Sequence, residues 1–256
     1  MLVPIDDSLL SGPEGRLSDT QLLFDNLAQC AVDGVLAFSG SFSQHYVEAK
    51  LARVVNLTAS TTLGRHTHKV IVGSVQQALR LGADAVAAHI NVSSQYEPEM
   101  LTTLGIIGVE ADASGLPFVV IAYPRSEGAS GDENYEEMRK HDIDAYAVLV
   151  RHTCRIAADL GADIIKTCYT GTPESFATVV QAVNPLPVLI AGGPLISGFE
   201  MLTMAKGALD GGASGVSFGR NIFLRPDPVP YIRALVRVVR HGASAEAAMN
   251  ENAISL

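Results

Sequence analysis

Leu81-Gly82-Ala83-Asp84 running into Ala85-Val86-Ala87-Ala88-His89-Ile90, and Leu160-Gly161-Ala162-Asp163 running into Ile164-Ile165-Lys166-Thr167, share one grammar. A glycine closes a helix in the left-handed conformation, and an apolar run of strand length follows at once. Gly211-Gly212-Ala213-Ser214, ahead of Gly215–Gly219, is a third instance. Working outward from these, eight candidate strands emerge: Leu2–Asp6, Gly34–Phe38, Arg53–Leu57, Ala85–Ile90, Phe118–Tyr123, Asp163–Thr167, Pro187–Ala191 and Gly215–Gly219. Each is followed by a stretch with helical spacing, the signature of parallel βαβ units. Most are nearly continuous hydrophobic runs, as expected of a parallel sheet covered by helices. The pattern predicts an α/β protein, a (β/α)8 TIM barrel. A doubly wound open sheet of six or more strands shows the same alternation and stays as the alternative.

The 256 residues match the ~250 typical of one such barrel, so a single domain over residues 1–256 is expected. With 48% hydrophobic and 18% charged residues, the chain can bury a full core. A net charge of −9, with no cluster of Lys or Arg at either end, argues against nucleic acid as a partner. No apolar run reaches the ~20 residues that cross a bilayer, and the N-terminus lacks a signal-peptide pattern, so no membrane partner and a cytoplasmic location are expected. Cys30, Cys154 and Cys168 are odd in number and widely spaced, which suits free thiols rather than disulfides or a zinc cluster. The segment Ser126 to Asp142, after the fifth candidate strand, reads as either a lid or a plain surface loop.

Of the five lysines, Lys50, Lys69, Lys140 and Lys206 sit in polar or helical surroundings. Lys166 ends an otherwise buried strand, on the same side as Ile164. An ammonium in an apolar interior tends to shed its proton, and a neutral amine can attack a ketone. A lysine paired with a carboxylate inside the barrel is the competing reading. Ala191-Gly192-Gly193-Pro194 and Phe218-Gly219-Arg220-Asn221 follow the last two candidate strands. There, glycine-freed amides and a helix start commonly bind phosphate, and Arg220 adds a forked cationic donor. Asp6 and Tyr123 end strands that open on the same mouth and can shuttle protons in imine chemistry, or else cap a loop and anchor a ring. His89 and Asn91 could bond substrate hydroxyls, unless the His is a satisfied packing residue.

Asp163-Ile164-Ile165-Lys166-Thr167-Cys168-Tyr169-Thr170-Gly171, Ala191-Gly192-Gly193-Pro194 and Gly219-Arg220-Asn221-Ile222-Phe223 together resemble the archaeal-type class I fructose-bisphosphate aldolase family, within the Schiff-base aldolases. The resemblance covers essentially the whole chain. Through Gly82–Val86, His89–Val92 and Tyr123-Pro124-Arg125 it runs to the 2-amino-3,7-dideoxy-D-threo-hept-6-ulosonate synthases and related enzymes of aminohydroxybenzoate biosynthesis. It implies Lys166 as the Schiff-base lysine, Tyr123 as proton donor and acceptor, and Asp6 as the assisting carboxylate. Gly192, Gly193, Gly219 and Arg220 would hold a phosphate, with His89 and Arg125 on the substrate. Two departures stand out. Asp7 replaces the histidine usual beside the catalytic Asp, and the chain starts at the first strand, where relatives carry a leading segment.

The resulting expectation is a class I aldolase or transaldolase that joins a ketose phosphate, dihydroxyacetone phosphate or a deoxyketohexose phosphate, to an aldehyde such as aspartate semialdehyde. The imine is the electron sink, so no metal or organic cofactor is expected. Small phosphorylated ketoses and aldehydes are the expected partners, and a homo-oligomer the expected assembly. Three alternatives remain: fructose-1,6-bisphosphate aldolase; the thiolase that cleaves phosphorylated autoinducer-2, which usually has Lys where this chain has Pro194; and a non-catalytic phosphosugar-binding barrel.

Overall fold

The computed structural model describes residues 1–127 and 133–254, so the middle of the segment read as a lid or loop lies outside the described residues. In chain order the elements are β1 (Leu2–Pro4), α1 (Asp7–Ser11), a 3-10 turn (Gly15–Asp19), α2 (Thr20–Gln29), β2 (Gly34–Ala37), α3 (Ser39–Gln44) and β3 (Ala52–Asn56). Then come β4 (Thr58–Ala59), β5 (Val70–Ile71), α4 (Val75–Arg80), β6 (Ala85–Val92), α5 (Glu97–Ser114), β7 (Phe118–Pro124), α6 (Glu136–His141), α7 (Ile143–Asp159) and β8 (Ile164–Thr167). The chain continues through α8 (Pro173–Val183), β9 (Val188–Ala191), α9 (Gly198–Asp210), β10 (Gly215–Ser217), α10 (Arg220–Phe223), α11 (Val229–His241) and α12 (Ala245–Glu251).

Eight strands close into a parallel barrel in the order β1-β2-β3-β6-β7-β8-β9-β10 and back to β1. All eight strands expected from the sequence are present, and the open sheet is thereby set aside. The small antiparallel hairpin of β4 and β5, pairing Thr58 with Ile71 and Ala59 with Val70, was not expected.

The repeated grammar works as its residues suggest. Gly82, Gly161 and Gly212 take φ of 67°, 90° and 93°. The amides that follow reach back into the helix, Ala83 to Ala78, Ala162 to Ala157 and Ala213 to Ala208, at 2.9–3.1 Å. These bonds satisfy carbonyls that the helix end would otherwise leave open. The aspartates of the motif then tie each new strand to its neighbour: Asp84 Oδ2 accepts from the Arg53 amide and Asp163 Oδ2 from the Phe118 amide, both at 2.8 Å.

Alternation along the strands sorts side chains into two cores. Val35, Val55, Val86, Val120, Ile165 and Ile190 face the helices. Leu2, Leu36, Val54, Ala87, Val119 and Ile121 fill the barrel interior, with Ile164 and Leu189 packed on them. Each large side chain so buried contributes roughly 1.5–3 kcal/mol. Two residues further along the interior face, towards the C-terminal ends, the positions turn polar: Asn56 after Val54, His89 after Ala87, Tyr123 after Ile121, and Lys166 after Ile164. The barrel is apolar below and chemically armed above.

The ladders are unequal. β6 and β7 pair over seven positions, from Val86↔Phe118 to Val92↔Pro124, whereas β1 meets β10 through Leu2↔Ser217 alone. A Cβ on Gly219 would come within 2.7 Å of the Pro4 carbonyl oxygen, so glycine lets the chain leaving β10 pass β1 closely.

Candidate active site

At the C-terminal ends of the strands, the active face of such barrels, lies a cavity of about 330 Å³. Lys166, Tyr123, Asp6, His89, Arg125, Gly192, Gly193, Gly219 and Arg220 all line it. Of the site residues expected from the sequence, only Asn91 is not among those brought to this cavity.

Lys166 is 6% exposed and registers between Ile121 of β7 and Leu189 of β9. Among the described residues it makes no ion pair or hydrogen bond, which removes the reading of a lysine locked to a carboxylate. Burial lowers its pKa, with the charges of Asp6 and Asp7 pulling the other way. Asp6 follows β1 at the start of α1 but makes no side-chain cap there. Instead its Oδ2 accepts from Asn56 Nδ2 at 2.7 Å. Burial raises the Asp6 pKa, and Lys166 opposes that rise. The amine is thus inclined to lose a proton and the carboxyl to gain one, a pairing suited to moving protons.

Tyr123 presents a hydroxyl that makes no hydrogen bond among the described residues. Burial holds its pKa well above 10, so at neutral pH the phenol is a proton donor. The His89 ring meets the Tyr123 ring edge-on, with centroids 4.9 Å apart. Burial, followed by the charges of Lys69, Arg125 and Lys166, keeps His89 neutral. Its Nε2 is buried without a hydrogen-bond partner, so His89 is not the satisfied packing residue of the alternative reading. Ser217 Oγ, on the far wall, is buried and unpartnered too. Polar atoms of this kind cost about 1–3 kcal/mol when left bare, and at a cavity wall they are groups a ligand can satisfy. Asn91 does not line the cavity: its Nδ2 donates to the Thr67 carbonyl at 2.7 Å, while its Oδ1 is buried and unpartnered as well.

The glycines differ in purpose. Gly193 takes φ 66° with open space about it, leaving its backbone accessible. Gly192 is small because Phe218 and Asn221 crowd it, at 3.0 and 3.3 Å from where a Cβ would stand. Asn221 fixes this loop: Nδ2 donates to the Gly192 and Pro194 carbonyls at 2.9 and 2.8 Å, and Oδ1 accepts from the Ile196 amide at 3.1 Å. Arg220 Nε lies 3.6 Å from Asp7 Oδ2, so the residue that replaces the usual histidine holds the rim arginine. Arg125 donates from Nε to Asn134 Oδ1 at 2.7 Å and spreads over the Tyr123 ring.

One expectation is corrected. Lys166 is not alone in leaving the surface: Lys69, set apart by its polar sequence surroundings, is 5% exposed and lines the cavity, with Nζ donating to Ser60 Oγ at 2.7 Å. The chain leading into β5 buries Lys69 together with Thr67, while His66 and His68 stay half-buried. Asn56, Ser217 and Asn221 were also given no role; interior alternation from Val54 and Gly215 was the available signal for the first two.

Fold and mouth together define a (β/α)8-barrel enzyme of the aldolase class. The pattern of the DeoC/LacD family aldolases matches residues 1–225, and the chain belongs to that family. It is 37% identical over 251 residues to the 2-amino-3,7-dideoxy-D-threo-hept-6-ulosonate synthase of Halobacterium salinarum, covering 97% of this chain and 89% of that one. It is 35% identical over 231 residues to the 2-amino-4,5-dihydroxy-6-oxo-7-(phosphonooxy)heptanoate synthase of Streptomyces griseus, covering 89% and 80%. Among solved structures, an archaeal fructose-1,6-bisphosphate aldolase whose catalytic Lys is covalently bound to the carbinolamine intermediate superposes with a TM-score of 0.83 at 30% identity, over 93% of this chain and 92% of that one.

Proposed function

We propose that this protein is a class I aldolase that joins dihydroxyacetone phosphate, or a deoxyketohexose phosphate, to aspartate semialdehyde through an imine on Lys166. One observation carries the reading: Lys166 is buried at the mouth of the barrel without an ion pair or hydrogen bond among the described residues, and a phenol and a carboxyl line the same cavity. The product named for the Streptomyces relative fits the same chemistry. Retro-aldol cleavage beside its ketone gives a three-carbon ketose phosphate and the four-carbon semialdehyde of aspartate.

The neutral Lys166 amine attacks the donor carbonyl. Tyr123 protonates the departing hydroxyl, and water leaves. The resulting phenolate removes the adjacent carbon-bound proton, giving the enamine. The enamine carbon bonds to the aldehyde carbon, and Tyr123 returns its proton to the new alkoxide. Water then hydrolyses the iminium, its proton passing to the phenolate, and Lys166 is released. Asp6, held by Asn56, assists the proton transfers at the lysine nitrogen. Gly192, Gly193, Gly219 and Arg220 are the donor-phosphate side, and His89 and Arg125 the acceptor side.

Fructose-1,6-bisphosphate aldolase is the second reading, favoured by the structural likeness to that enzyme. The free thiols suit the proposed cytoplasmic location. Exposed Ile106, Val109 and Val148 on α5 and α7 offer apolar surface for the proposed homo-oligomer.

Borohydride added with dihydroxyacetone phosphate should trap an adduct on Lys166, and Lys166→Ala should abolish turnover with the fold intact. An adduct on Lys69, Lys140 or Lys206 instead would overturn the assignment. Condensation with aspartate semialdehyde, run beside fructose-1,6-bisphosphate cleavage, separates the two readings.

A further inference from the structure

We infer that Lys69 binds the anionic end of the acceptor aldehyde, across the barrel from the donor phosphate. The inference rests on the aldolase reading above and adds a residue to it. In the ring of eight strands, β3 and β6 stand three or four places from β9 and β10. With the donor's phosphate at the β9 and β10 loops and its carbonyl carbon on Lys166, the acceptor must reach the enamine from the opposite wall. That wall presents Lys69, His89 and Arg125.

Lys69 departs from an ordinary structural lysine in three respects. It is 5% exposed yet lines the cavity. Among the described residues its Nζ has one hydrogen-bond partner, the neutral Ser60 hydroxyl, whose Oγ also lies 2.7 Å from the His66 carbonyl. The charges that act on it are Arg125, a second cation whose bond from Nε goes to the neutral amide of Asn134, and, more weakly, the carboxylates of Asp6 and Asp7. Two cations on neutral partners, facing one pocket beside the unpartnered Nε2 of His89, form a corner where an anion is stabilised by both. Burial and Arg125 together lower the Lys69 pKa to about 8, so an arriving anion also favours its protonated form. The shared chemistry is an anionic acceptor, either the carboxylate of aspartate semialdehyde or the phosphate of a triose.

The test compares wild type, Lys69→Met and Lys69→Arg on three acceptors with one donor: aspartate semialdehyde, glyceraldehyde 3-phosphate and uncharged glyceraldehyde. Lys69→Met should lose about 10- to 100-fold in kcat/KM on the anionic acceptor that wild type uses, as expected when a hydrogen bond to a charged group is removed. It should lose no more than about twofold on glyceraldehyde, and Lys69→Arg should keep the preference for the anion. A loss confined to the semialdehyde assigns a carboxylate site, and one confined to the triose phosphate assigns a phosphate site. Equal losses on charged and uncharged acceptors, in a variant that still traps donor on Lys166, would overturn the Lys69 assignment alone. If Lys69→Met does not fold, Lys69→Gln is put to the same comparison. Wild type that traps no donor on Lys166 would overturn the aldolase reading, and this inference with it.

Discussion

The two walls of the cavity are built by different means. Behind β9 and β10 the rim is mostly backbone: open Gly193, the close passage at Gly219, and a loop fixed by Asn221. Behind β3 and β6 it is side chain: Asn56, His89 and a lysine delivered by a hairpin outside the barrel ladder. A backbone site is shaped for a group common to many substrates, whereas side chains on an appended hairpin can distinguish one substrate from the next.

Chemistry at the centre should be most sensitive. Tyr123→Phe removes the proton carrier shared by both walls and should lower kcat by about 10²- to 10⁴-fold, while donor alone still binds. Single-turnover product formation checks this. A loss seen in KM alone would make Tyr123 a packing residue.

The side-chain wall should betray itself in pH. Lys69 titrates near 8 in the folded chain against an ordinary 10.5. Between these values the unfolded chain holds a proton that the folded chain has shed, so stability rises with pH. Below pH 8 the burial penalty is fully present; above 10.5 it is gone. Relative to Lys69→Met, wild type should therefore gain about 3 kcal/mol across that window, read from urea midpoints at pH 7.5 and 10.5. A constant difference would mean Lys69 is not buried as a cation.

The backbone wall should depend on Arg220, the long cation that lines it. Arg220→Ala should raise donor KM by an amount equivalent to about 1.5–3 kcal/mol, and less for unphosphorylated dihydroxyacetone. Equal losses for both donors would make Arg220 a brace for the rim. The smallest effect is expected at Asp7→Asn. The Asp7–Arg220 pair is partly exposed and worth about 0–1 kcal/mol, so releasing it should lower donor KM slightly and leave the melting temperature nearly unchanged. A higher KM would show that Asp7 aims the arginine.

This contrast also explains what was legible in the sequence. The barrel could be read because the Leu-Gly-Ala-Asp grammar is local: cap, turn and strand lie within a few residues. Lys166 could be read because a charge interrupts an apolar run, and the Gly-Gly and Gly-Arg loops because backbone chemistry leaves glycines behind. Lys69 could not. Its run His66-Thr67-His68-Lys69 is polar, and the pairing of Ala59 with Val70 that turns it inward is two residues long, below what periodicity can detect. Nor could the Asp7–Arg220 contact be read, since it joins opposite ends of the chain across the closing strands.

That closure has a mechanical consequence. Where β1 meets β10, one register pair holds what seven hold between β6 and β7, so the tube has a seam. Parting two strands there breaks the fewest ladder bonds, and the free energy of local opening scales with what must be broken. Asp6 lies just beyond one lip of the seam, and Ser217 and Gly219 at or beyond the other. A fluctuation that unzips this wall pulls the carboxyl away from Lys166 while the apolar floor stays packed, so heat or denaturant would silence the protein before it unfolds.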